Sequence, residues 1–116
     1  MKLLVVFLIS MGLLLTIDAE RRVAYELITD LEGTILQEGE KEGADYIFFI
    51  VPEHYSDDLV KLIISNSIKG KSNIRVVNPW RFNEDQKLIL GLLVNGNPFF
   101  IQYDMKENSL LIFYKN

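Results

Sequence analysis

The rhythm of apolar positions along this chain changes several times, and each change predicts an element. Residues 3–17 form an almost unbroken apolar run behind Lys2, halted by Asp18, Glu20, Arg21 and Arg22. Over residues 20–32, Val23, Ala24, Leu27, Ile28 and Leu31 recur at helical spacing while Glu20, Arg22, Glu26, Asp30 and Glu32 fall mostly elsewhere. That predicts a helix ended by Gly33, with residues 34–37 either extending it or opening a short strand. The polar, Gly-punctuated stretch 38–43 predicts a loop. Residues 44–51, Ala-Asp-Tyr-Ile-Phe-Phe-Ile-Val, read as a strand buried on both faces and stopped by Pro52.

Ser56 is a favourable N-cap, and Asp57 and Asp58 sit where the positive end of a helix dipole favours carboxylates. The helix they start runs to about residue 68, with Gly70 at its exit. Residues 73–78 predict a further strand, so residues 44–78 read as a βαβ unit with parallel strands and a right-handed crossover. Residues 78–86 read as a polar loop. Three strands follow at 88–94, 99–104 and 110–114, and Asn95-Gly96 supplies the strongest hairpin signal in the chain. The expected fold is α+β with α/β character. It has an N-terminal helix, one βαβ unit and a three-stranded antiparallel meander, on a mixed sheet of about five strands.

The first nineteen residues have the layout of a secretory signal: a basic start, an apolar core, and Ala19 as the small residue before a cut. Residues 20–116 then form a single globular domain, exported to the periplasm, envelope or medium. The apolar run falls short of the roughly twenty residues a spanning helix needs. An uncleaved anchor is the main alternative, and membrane contact would then come through residues 1–19 alone. A folded-in strand or a docked apolar helix are the others.

Composition narrows the chemistry. No cysteine is present, so disulfides, thiolate nucleophiles and Cys-based zinc sites drop out. Seven Phe, five Tyr and one Trp supply enough apolar bulk for a packed core. The net charge of −4 argues against nucleic acid as a partner. Eleven acidic residues stand against Arg21, Arg22 and Lys41 over residues 20–58, while residues 59–116 hold four acidic and eight basic ones. The expectation is that the halves interleave and their fields cancel; a charged partner or head-to-tail self-association is the other reading.

Two segments carry candidate function. Glu53, His54, Tyr55, Ser56, Asp57 and Asp58 follow a strand and precede a helix, where ligands gather in open α/β sheets. In a small hydrolase-like envelope enzyme His54 could serve as a general base oriented by Asp57 or Asp58, or could ligate a metal beside Glu53. The same residues are explained more simply as helix caps and surface polarity. Trp80, Arg81 and Phe82 combine the residue types that dominate binding hot spots. They are the candidate binding residues, unless Trp80 and Phe82 tuck under the sheet.

Asp30-Leu31-Glu32-Gly33-Thr34-Ile35 resembles the nucleophile motif of haloacid-dehalogenase-type phosphatases over six residues only. That motif requires a strand before Asp30, where the periodicity here is helical, so no assignment follows. No cofactor or metal is implied, and one histidine builds no multi-His site. The favoured reading is an exported binding or interaction domain with a protein or peptide partner, or with itself.

Overall fold

A computed structural model describes residues 18–115. The first helix, α1 (Ala19–Asp30), begins where Asp18 accepts the Arg21 N–H at 2.7 Å. Its end differs from expectation. Glu32, not Gly33, takes the left-handed conformation, with φ of 54°. Its N–H reaches the Thr29 carbonyl while the Gly33 N–H reaches that of Ile28, which closes the last turn. The second helix, α2 (Asp57–Ile68), is capped as its sequence predicts, Ser56 Oγ accepting the Leu59 N–H at 3.1 Å.

Six strands form one sheet: β1 (Thr34–Lys41), β2 (Ala44–Ile50), β3 (Ile74–Phe82), β4 (Leu88–Val94), β5 (Asn97–Asp104) and β6 (Ser109–Tyr114). Their spatial order is β1-β2-β6-β5-β4-β3, and every neighbouring pair is antiparallel. Strand residues alternate between faces. Ile47, Phe49, Leu90, Leu92, Phe99, Ile101, Leu110 and Ile112 therefore point to one side, where Val23, Ala24, Leu27, Ile28, Val60 and Ile64 of the helices close the core. Polar ties fasten this layer. Tyr103 Oη donates to Asp57 at 2.8 Å, Asn97 Nδ2 donates to buried Glu20 at 2.6 Å, and Ser67 Oγ donates to Asp30 at 2.7 Å.

The mixed five-stranded sheet and its βαβ unit are thus corrected. β2 and β3 lie on either side of β6, β5 and β4, so the crossover through α2 joins strands that are not neighbours, and the described strands include no parallel pair. Apolar runs at 44–51 and 73–78 could not reveal this, because the C-terminal meander supplies a more apolar neighbour for β2. Residues 34–37 open a strand, one of their two expected readings, and the strand runs on through residues 38–41, expected as loop; only Glu42 and Gly43, with φ of 55° and 79°, make the turn. All eight β1 residues are exposed, so the strand shows no burial alternation to read. β3 also runs on to Phe82 through residues read as a loop; Pro79 is tolerated because β3 is an edge strand with extra residues at Val77 and between Asn78 and Arg81.

β6, by contrast, lies between β2 and β5, so its backbone is fully paired inside the sheet. No helix among the described residues is long and apolar enough to cross a membrane. The leader expected over residues 1–19 falls outside the described residues as far as residue 17. Asp18 and Ala19 belong to the start of α1.

Candidate binding face

The side of the sheet opposite the helices has no described helix or strand on it, yet it is apolar. Register sets its members: Tyr46 pairs with Phe113, Phe48 with Leu111, Phe100 with Phe113, and Leu93 with Pro98. These residues share the parity that the core does not use. The rings of Phe100 and Phe113 stack with centroids 5.0 Å apart and planes at 21°. Gly91 pairs with Phe100: a Cβ there would approach Asn78 Nδ2 at 3.1 Å and Phe100 Cε1 at 3.4 Å, so glycine lets the Asn78 and Phe100 side chains settle over the strand. Gln37 Nε2 donates to Tyr46 Oη at 2.9 Å and fixes the phenol at the margin.

Tyr46, Phe48, Pro98, Phe100, Leu111 and Phe113 floor a groove of about 1060 Å³ that crosses β1, β2, β6 and β5. Lys41 and Lys115 stand on its rim, with Glu42 as the one acid in the lining. Register puts Arg75 and Arg81 on the same face, opposite Leu93 and Ile89 at the β3 edge. Lys87 also approaches Asp104 at 3.9 Å, which leaves that carboxylate already matched to a cation.

The helix side carries both signs. Glu26, Asp30, Asp57 and Asp58 are carried by the two helices, and Glu38 of β1 accepts a hydrogen bond from Tyr25 of α1. Arg21, Arg22 and Lys61 lie on the same helices, and Lys71 pairs with Glu26, so the acidic and basic halves of the sequence interleave in part on this side. Arg75 and Arg81 stay on the other face.

The residues singled out in the sequence are placed as follows. His54 is exposed, its ring edge-on to Tyr55 with centroids 5.0 Å apart. Among the described residues no hydrogen bond or ion pair joins His54 to Glu53, Asp57 or Asp58. Asp57 is engaged by Tyr103, while Asp58 sits exposed in the first turn of α2. Burial first, and then the Asp57 carboxylate, pushes the Tyr103 phenol above its ordinary range. No group of three or more potential metal-ligating side chains occurs among the described residues. Asp30 is the last residue of a helix, not the end of a strand.

Trp80, Arg81 and Phe82 do not share a surface. Trp80 is half-buried against the core cluster, Arg81 lies on the bare face beside Ile89, and Phe82 pairs with Leu88 on the helix side, 63% exposed. Only Arg81 belongs to the groove's face. The aromatic strip itself was not singled out from sequence. Its signal was an excess of apolar residues at both strand parities, as in Phe48-Phe49, Phe99-Phe100 and Leu110 through Tyr114. An antiparallel sheet covered on one face needs apolar residues at only one parity.

Compared with protein-family models, with curated proteins and with solved structures, the chain matches none.

Proposed function

We propose that this chain is an exported small binding domain and that the bare sheet face is its interaction surface. One observation carries the reading: half of an apolar, aromatic-rich sheet is left without a described covering element and is rimmed by cations. Contiguous apolar surface of this kind marks interaction sites in folded domains. Export is supported by the leader pattern at residues 1–19. The hydrolase-like alternative through His54 has weaker support, since that ring is exposed and without an acidic partner among the described residues.

An anionic aromatic dye such as anilinonaphthalene sulfonate tests the surface. It is expected to bind the folded protein, and Leu111→Lys is expected to remove the signal while leaving the urea midpoint nearly unchanged. A folded protein that binds no dye, or a Leu111→Lys variant that binds it equally well, would contradict the reading.

A further inference from the structure

We infer that the bare face seats an amphipathic helix flanked by acidic residues and contributed by a protein partner; this rests on the binding reading above and names the partner's class. The groove floor is a sheet face that offers side chains, and only at its β1 margin does it meet a sheet edge. Over β2, β6 and β5 an occupant must therefore satisfy its own backbone hydrogen bonds, which a helix does and an extended peptide does not.

Charge selects among helices and other occupants. Lys41 and Lys115 on the rim, with Arg75 and Arg81 farther along the face, favour carboxylates on the flanks of the apolar stripe. A second copy placed face to face would set these cations against their own counterparts. The apolar leader would match the stripe but brings no acidic flank, having Lys2 and no acidic residue before Asp18. A bilayer fits less well because Tyr46, Phe48, Phe100 and Phe113 are half-buried in the groove floor and do not project.

The test uses protein purified after expression of the full chain and three labelled synthetic helices of about twelve residues. One has a Leu/Phe stripe with Glu flanks, its twin has Lys flanks, and the third has the stripe dispersed. The Glu-flanked helix is expected to bind about tenfold more tightly than its Lys-flanked twin at low salt. The gap should close as salt rises. Lys41→Glu combined with Lys115→Glu alters only exposed positions and is expected to reverse the preference, whereas Leu111→Lys abolishes binding of both twins. Equal binding of the twins, or of the dispersed peptide, overturns the inference. So does tighter binding to phosphatidylglycerol vesicles, or to a synthetic peptide of residues 1–17. Dye binding separates the two levels: dye without helix sinks the partner class and leaves the face, while neither dye nor helix sinks both.

Discussion

The two faces of the sheet are built from the same strands and spend their apolar residues differently. Phe99 and Phe100 are adjacent in β5. Phe99 is fully buried under the helices and stacks on Tyr114, centroids 5.5 Å apart; Phe100 is half-buried and stacks on Phe113 under no described element. The covered face accounts for its apolar residues through core burial. On the other face no described element covers the apolar residues, and that is the reason binding is proposed there.

Replacing each ring in turn puts this contrast at risk. Phe99→Ala should cost about 3–5 kcal/mol in urea unfolding, the usual range for emptying a packed aromatic site. Alkaline pH should act on the same face. Burial, followed by the carboxylates of Asp45 and Asp18, raises the Tyr114 phenol to about 12 from an ordinary 10.0. The unfolded chain releases this proton first, so stability is intact below pH 10 and falls as pH rises toward 12. Tyr114→Phe should flatten that fall.

Phe100→Ala should cost only about 1–2 kcal/mol, because part of its area already faces water and mainly the Phe113 stack is lost. A cost equal to that of Phe99→Ala would break the distinction between the faces. Asp18→Ala should cost about 1 kcal/mol through the lost cap of α1. A cut between Ala19 and Glu20 would remove the same cap, so the mature terminus, read by intact mass in each cell fraction, bears on stability as well as address. His54→Ala should change stability by no more than about 0.5 kcal/mol and leave helix binding intact. Loss of binding in that variant would return attention to the Glu53–Asp58 loop.

Local signals were legible wherever one residue decides a conformation. Ser56 caps α2, and Asn95-Gly96 turns β4 into β5 with φ of 50° and 80°. Long-range choices were not. The run 44–51 specifies a strand but not which strand lies beside it, and β6 took the place that the βαβ reading gave to β3. β1 was hidden because a charged, exposed edge strand has no apolar period, and charge there is a protection against unwanted pairing. The candidate site suffered from the same limit. Trp80, Arg81 and Phe82 look like one patch along the chain, yet a pleated strand with extra residues sends them to different surroundings. The apolar strip was visible as composition, and only the placement of the two described helices on one side reveals which parity they leave uncovered.

The absence of cysteine makes the decisive measurement simple, since any introduced thiol is unique. Gln37→Cys places one in the groove lining, and Arg22→Cys places one on the exposed side of α1. Both are treated with a membrane-impermeant maleimide, once on the purified protein and once on intact cells of origin. The account predicts that both thiols react in the purified protein, and that on cells Arg22→Cys reacts while Gln37→Cys is protected by its partner. Equal reaction of the two on cells would contradict a binding role for the bare face.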